Sequence, residues 1–257
     1  MTLFAVVIFG VVEGITEFLP ISSTGHLILT SKLFGITQTE FMKSFEIAIQ
    51  LGAILAVVML YGRRLMMDFK ILKRVIAAFI PTAIIGFIFY KAIKNFMFSS
   101  NHIVLWSLLL GGIFLIIFEL LHREKKVALE EIASMSYAQA FIIGIFQSIA
   151  IIPGVSRAAA TIIGGLILGL RRKTIVEFSF LLAVPTMGAA VGFDLIKSAG
   201  TFKPSDFLFL SIGFLVSFIV ALMSIKCLLG FIKNHNFISF GIYRIILALL
   251  FLFIFKA

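Results

Sequence analysis

The chain has 257 residues, of which 61% are hydrophobic and only 13% charged, with a mean hydropathy of +1.17 and a formal net charge of +10. This composition excludes an ordinary soluble domain and points to a polytopic membrane protein. The basic residues cluster between apolar runs, where cytoplasmic loops carry Lys and Arg, so the charge indicates membrane lipid as partner and no nucleic acid. Cys227 is the single cysteine, which excludes an intramolecular disulfide and a cysteine metal site. No basic stretch opens the chain, and Glu13 and Glu17 interrupt its first apolar run, so no cleaved signal is expected.

In chain order, the first apolar region, about 3–34, is broken midway by Pro20-Ile-Ser-Ser-Thr-Gly. Runs near 44–61, 75–92 and 102–121 follow, each close to the roughly 20 residues that a bilayer crossing needs. The region 137–170 is again broken, by Pro153-Gly-Val-Ser-Arg, and runs near 175–196, 206–229 and 238–256 complete the chain. Proline removes a donor and clashes with the preceding turn. Non-helical backbone survives at membrane depth only inside protein or beside a wet cavity, so both broken regions read as re-entrant hairpins.

The two regions resemble one another. Gly10-Val-Val-Glu13 aligns with Gly144-Ile-Phe-Gln147, and Pro20 and Pro153 fall within one residue of the same offset. Downstream, the segment from Phe45 to Gln50 loosely tracks Phe180 to Pro185. Three full spans separate the copies, an odd number, so the second copy is inverted and the two breaks meet near the midplane. The expectation is an all-α integral membrane protein forming one domain over 1–257. It has six full transmembrane helices plus two re-entrant helix hairpins, arranged as an inverted-topology internal repeat with copies at about 1–136 and 137–257. Basic residues between Arg63 and Arg74, between Arg123 and Lys126, and at Arg171 to Lys173, with Lys226 and Lys233, mark the cytoplasmic side. Both termini and the mouth of the first hairpin then face outward.

The chemistry lies at the breaks. Glu13 and Glu17 stand at i and i+4 on one helix face. An acid near the membrane midplane costs roughly 2.5 to 3.5 kcal/mol on insertion scales, so this pair asks for a cation, and oxygen ligands suit Mg²⁺ or Ca²⁺. After Pro20, Ser22, Ser23 and Thr24 begin a helix whose N-terminus favours an anion, although any one hydroxyl also reads as a simple cap. His26 follows Ser23 by three positions, within reach for acid or base work. The second break supplies Ser156, Arg157 and Thr161. Arg157 is a permanent cation whose planar fork suits phosphate, or else a structural ion-pair partner for Glu13 or Glu17. Glu46 and Gln50 share a helix face and line the same cavity or bond structurally. Glu119, His122, Glu177, Asp194 and Arg244 lie near span ends, where snorkelling accounts for them. The stretch from Glu124 to Glu131 reads as a solvated connector.

The residues from Glu13 to His26, EGITEFLPISSTGH, together with PGVSRAAAT at 153–161, resemble the signature regions of the undecaprenyl-diphosphate phosphatase (bacitracin resistance) family. FEIAIQLGAILAVV at 45–58, EFSFLLAVP at 177–185 and the closing Ile-Tyr-Arg244 extend the resemblance over nearly the whole chain. It implies an enzyme of the bacterial cytoplasmic membrane that hydrolyses undecaprenyl diphosphate to undecaprenyl phosphate and inorganic phosphate. Such an enzyme recycles the carrier lipid for peptidoglycan and confers bacitracin resistance. By resemblance, Glu13 and Glu17 are the acidic motif that binds a divalent cation, Mg²⁺ or Ca²⁺. Ser23 is the nucleophile, His26 the essential histidine and Arg157 the phosphate-binding arginine, with Ser22, Thr24, Ser156 and Thr161 as polar pocket positions. The family usually has Ser-Gly after the arginine, whereas this chain has Ala158-Ala159. One hydroxyl contact is thereby lost, worth roughly 0.5 to 1.5 kcal/mol.

Three readings compete with a serine nucleophile and a lone phosphatase. Direct water attack is one, since a serine needs an activating base. An inverted-repeat secondary transporter or lipid flippase is another. A Ser/His intramembrane protease is the third, though it gives the paired acids and Arg157 no task. The sequence also allows a homodimer.

Overall fold

Backbone N–H and C=O groups without water must pair inside their own segment, and in a chain this apolar that leaves the helix as the available solution. The computed structural model describes residues 1–37, 39–89, 101–124, 128–198 and 206–254. In chain order the helices are α1 (Leu3–Thr16), α2 (Ser23–Leu33), α3 (Glu40–Met67), α4 (Phe69–Ile88), α5 (Asn101–Leu121), α6 (Tyr137–Ser148), α7 (Arg157–Ile167), α8 (Arg172–Ser198), α9 (Asp206–Phe231) and α10 (Ile238–Ile254). Short 3₁₀ turns occupy Ile132–Ser134 and Ile149–Ile151. Among the described residues the only β feature is an isolated bridge between Leu129 and Leu170.

Five helical segments are long and apolar enough to cross a membrane: Ser44–Met67, Phe69–Ile88, His102–Leu121, Arg172–Phe193 and Asp206–Phe231. The run expected over 238–256 forms a shorter apolar helix, α10, with 17 described residues. The run expected over 75–92 starts earlier, at Phe69, because the Asp68 carboxylate accepts from Lys70 N at 2.9 Å and Ile71 N at 3.3 Å and so caps α4. Residues 90–92 lie outside the described chain. The protein is a multi-pass membrane protein of the all-α class. Its outer faces carry bare apolar side chains such as Phe87, Leu121 and Phe253, suited to lipid.

Both broken regions fold as two short helices that touch, α1 with α2 and α6 with α7. Helix α1 lies along α9, and α6 lies along α4. Small residues permit both approaches. A Cβ on Gly10 would stand 2.9 Å from Gly213 O, and one on Gly14 would stand 2.7 Å from Ser217 O. A Cβ on Gly144 would run into Ala78 O and come within 2.6 Å of Pro81 Cγ. Thr82 strengthens the second contact by donating to Gly144 O at 2.9 Å. Gln147, aligned with Glu13 in the sequence, donates to the Thr82 and Thr186 hydroxyls at 2.9 and 3.1 Å and ties α6 to α4 and α8. Helix α8 is the centre of the core, with Phe178, Phe180, Leu181, Leu182 and Ala183 all fully buried. An uninterrupted apolar run is what a helix surrounded by others requires.

Two charged residues attributed to snorkelling are buried instead. Glu119 pairs with Arg172 at 3.0 Å and accepts from Phe237 N at 3.3 Å, so it joins α5, α8 and the start of α10. Arg244 is 1% exposed. Length and hydropathy place such residues along a helix but do not reveal which neighbour faces them. Glu177 does meet the more exposed Arg64, at 2.9 Å. The connector expected to be solvated is partly packed: Ala128 and Ile132 are buried, and Thr174 donates to Glu130 O at 2.7 Å. The side chain of Asp194 lies outside the described set.

Replacing Gly144 by Ala forces α6 off α4 and lowers stability by about 1–3 kcal/mol, as overpacking does. The check is the thermal unfolding midpoint in detergent. Gly230→Ala, whose Cβ meets nothing within 4 Å, leaves that midpoint unchanged or raises it.

Candidate active site

The first break begins where α1 ends, with Glu17 N donating to Glu13 O at 3.0 Å. Pro20 prevents the helix from continuing, and the chain turns through Ile21 to Ser22. Ser22 has φ of 73°, the one positive value at a non-glycine residue among those described. Such a conformation costs on the order of 1–3 kcal/mol and survives where neighbours impose it. Here they do. The Ser22 hydroxyl caps α2 by accepting from Gly25 N at 3.4 Å, and the Ser22 carbonyl accepts from both His26 N at 3.2 Å and His26 Nδ1 at 2.7 Å.

The second break runs from Ile149 to Ser156. Gly154, at φ of 90°, presses against Val104 O at 2.7 Å and Ser107 Cβ at 2.8 Å as measured from a built Cβ, so no larger residue fits. Ser156 caps α7 by accepting from Ala159 N at 3.2 Å, and its hydroxyl lies 3.4 Å from Leu19 O of the first break.

The breaks meet at Glu17. Its Oε2 accepts from the Ser23 hydroxyl at 2.5 Å, and its Oε1 pairs with an Arg157 terminal nitrogen at 3.1 Å. The side chains of Arg157 and Glu17 are only 12% and 6% exposed, so the pair is sheltered from water. The other terminal nitrogen of Arg157 donates to Ser179 O at 3.0 Å. Four buried atoms around this pair have no hydrogen-bond partner: both carboxylate oxygens of Glu13, Arg157 Nε and the Ser179 hydroxyl. Buried polar atoms without partners are rare in proteins, and a cluster of them around an ion pair is the shape of a site for a polar ligand. Glu13 lies in the field of Glu17, Glu46 and Arg157. The paired acids Glu13 and Glu17 thus lie together beside one guanidinium.

The remaining predicted residues fall into two groups. His26 is buried but does not face Ser23. A carbonyl accepts only, so Nδ1 carries the proton that goes to Ser22 O, and Nε2 meets the Tyr243 hydroxyl at 2.8 Å. The two rings stack 5.5 Å apart and 3° from parallel. The base within reach of Ser23 is therefore Glu17. Thr161 turns along its own helix and donates to Arg157 O at 2.8 Å, while Thr24 is half-exposed beside the cap. Sequence reasoning missed Tyr243, Arg244 and Ser179. A permanent cation such as Arg244 inside an apolar run was itself a usable signal. Ser179, a small residue within an apolar stretch, gave none.

Comparison with known proteins finds close relatives over nearly the whole chain. A family model described as bacitracin resistance protein BacA matches residues 6–250. The undecaprenyl-diphosphatase of Aquifex aeolicus is 56% identical over 251 residues, covering 98% of each chain. Those of Sulfurihydrogenibium sp. and Wolinella succinogenes are 55% and 50% identical, over 251 and 253 residues, again covering 98% of each chain.

Removing one partner of a buried pair leaves the other charge uncompensated. Glu17→Ala should therefore cost about 3–5 kcal/mol of stability, and adding Arg157→Met should restore most of it. Thermal unfolding of the two single variants and the double variant tests this coupling.

Proposed function

The chain belongs to the bacitracin resistance protein BacA family, and from that membership we propose that it hydrolyses undecaprenyl diphosphate to undecaprenyl phosphate and inorganic phosphate. The observation that carries the reading is that one carboxylate, Glu17, holds a serine hydroxyl on one break and a guanidinium on the other. Phosphoryl transfer needs a nucleophile, an acceptor for its proton and a cation against the phosphate oxygens. Those three stand within a single hydrogen-bonded chain.

Arg157 exchanges the Glu17 carboxylate for the terminal phosphate and binds it with its fork, including the Nε that has no partner in the resting arrangement. Ser23 then attacks the terminal phosphorus while Glu17 takes its proton. The bond to the bridging oxygen breaks, and undecaprenyl phosphate leaves with that electron pair. Water attacks the resulting phosphoserine to release inorganic phosphate and restore the hydroxyl. A water molecule seated on Glu17 in place of the serine oxygen gives the same products in one step. His26, anchored through Nδ1 at Ser22 O, accepts from the Tyr243 hydroxyl at Nε2.

The residues fit a hard divalent cation, Mg²⁺ or Ca²⁺. Glu13 offers two buried oxygens whose one polar neighbour is the acid Glu17. Glu13 and Glu17 would hold the ion, with water and phosphate oxygens completing its shell. Among the described residues no cluster of three or more His, Cys, Asp or Glu side chains is placed to hold a metal without such additional ligands. When bound, the cation would neutralise charge on the diphosphate.

The finer architecture in this proposal is six spans with two re-entrant hairpins as inverted repeats. The reciprocal packing of α1 on α9 and α6 on α4 supports it. Helix α10 rises about 25 Å over its 17 residues, somewhat short of a bilayer core of roughly 30 Å, and serves as the sixth span. The basic loops support an extracytoplasmic mouth for the first hairpin.

Purified protein in detergent should release phosphate from undecaprenyl diphosphate when Mg²⁺ or Ca²⁺ is present. Chelation, Glu17→Gln or Arg157→Ala should each abolish release. Substrate flux in proteoliposomes without any phosphate release would instead favour a carrier. Ser23→Ala separates the two chemical routes: retained turnover selects water, whereas a phosphoserine trapped by rapid quench selects the serine.

A further inference from the structure

Arg244 heads the large side chains that the fold buries completely. Its hydrogen bonds reach four main-chain carbonyls on three separate elements. Nε donates to Leu108 O at 3.3 Å, one terminal nitrogen donates to Pro20 O at 3.3 Å, and the other donates to Ser107 O at 3.0 Å and Gly154 O at 3.1 Å. Pro20 belongs to the first break, Gly154 to the second, and Ser107 and Leu108 to α5. One planar group thus joins both broken turns to a common helix.

The pocket for this group is cut into α5. A Cβ on Gly111 would collide with the Arg244 guanidinium, and one on Gly112 would stand 3.0 Å from Arg244 Cβ. Gly112 and Gly241 also allow α5 and α10 to cross closely, since a Cβ on either would come within 2.8 Å of the other's carbonyl oxygen. Tyr243, the neighbour of Arg244 on α10, reaches His26 just after the first break. Two consecutive residues of one helix therefore touch the machinery on both sides of the junction.

Burying a guanidinium is unfavourable unless its donors are satisfied. A contact that served packing alone would be met by an apolar side chain of similar volume. The fork supplies something different: donors in fixed directions that index two loops from opposite halves of the chain. We infer that Arg244, seated in the Gly111–Gly112 notch, is a positioning residue that holds the two broken turns in register so that Arg157 on one meets Glu17 and Ser23 on the other. This inference rests on the phosphatase reading for its kinetic consequence but not for its structural one.

The test compares full-length wild type, Arg244→Lys, Gly111→Ala and the control Gly230→Ala in detergent, by hydrogen exchange and by phosphate release from undecaprenyl diphosphate. Lysine keeps the charge but lacks the fork, whereas Gly111→Ala keeps the arginine but fills its slot. In both, exchange should rise about tenfold in the segments 17–22 and 149–156 together, while other helices keep their protection. Their kcat should fall on the order of 10²-fold, as misplaced reacting groups cause, with KM changing much less. The control should match wild type. Unchanged exchange, a rise in only one segment, a rise spread through the whole protein, or full kcat in Gly111→Ala would each overturn the inference. If wild type releases no phosphate, the phosphatase reading fails, and the exchange measurement still decides the role of Arg244.

Discussion

A carboxylate and a guanidinium 140 positions apart in sequence, Glu17 and Arg157, share one hydrogen bond in a region almost closed to water. Neither charge is tolerable there alone, and the rest of the architecture follows from bringing them together. Two helices must stop within the interior, because a continuous helix would carry its polar residues past one another along parallel walls. Each stop exposes backbone, so each must be enclosed by protein. The glycines that let α1 settle on α9 and α6 settle on α4 provide that enclosure, and Phe18 closes it by an edge contact with Phe180 at 5.4 Å.

The two halves of the chain use related frames for different work. At the position where one half has Glu13, with carboxylate oxygens that meet no donor, the other has Gln147, whose amide bonds two threonine hydroxyls and fastens three helices. The amide nitrogen of Gln147 finds two hydroxyl acceptors, although its Oε1 has no partner, whereas a carboxylate at the same depth requires a cation or a proton. In the proposed mechanism that difference separates a half that reacts from a half that grips. Arg157 has the complementary place, opening α7 with its fork turned across the junction.

Much of this was legible in the residues. Both breaks stand where Pro20 and Pro153 put them, and the two acids, Ser23 and Arg157 gather as their cost in an apolar setting suggested. What stayed hidden concerns the direction in which a side chain points. Glu119 sits near the end of an apolar run, where the aqueous interface is an equally good explanation, and Arg244 lies inside one with no sign of what faces it; the packing of α5 on α10 and the Arg172 partner turn them inward. His26 stands three residues from Ser23 in sequence, which puts them on one helical face in principle. The unusual backbone at Ser22 rotates the imidazole towards Tyr243, a residue 217 positions away that no local pattern could nominate. Ser179 emerges as a buried hydroxyl without a partner only once α7 and α8 are packed.

In the proposed mechanism the resting bond between Glu17 and Arg157 also shapes how a diphosphate is received. Binding exchanges one anionic partner of the guanidinium for another, so the arginine is never left bare in a medium of low polarity. In the proposed mechanism the same exchange frees one oxygen of Glu17 while the other still holds Ser23. Arrival of the substrate and activation of its attacking group are then one event. A separate base standing ready beside Ser23 would gain basicity only by remaining unpaired in the absence of substrate, which the apolar interior penalises. Keeping Glu17 on Arg157 in the resting protein avoids that penalty.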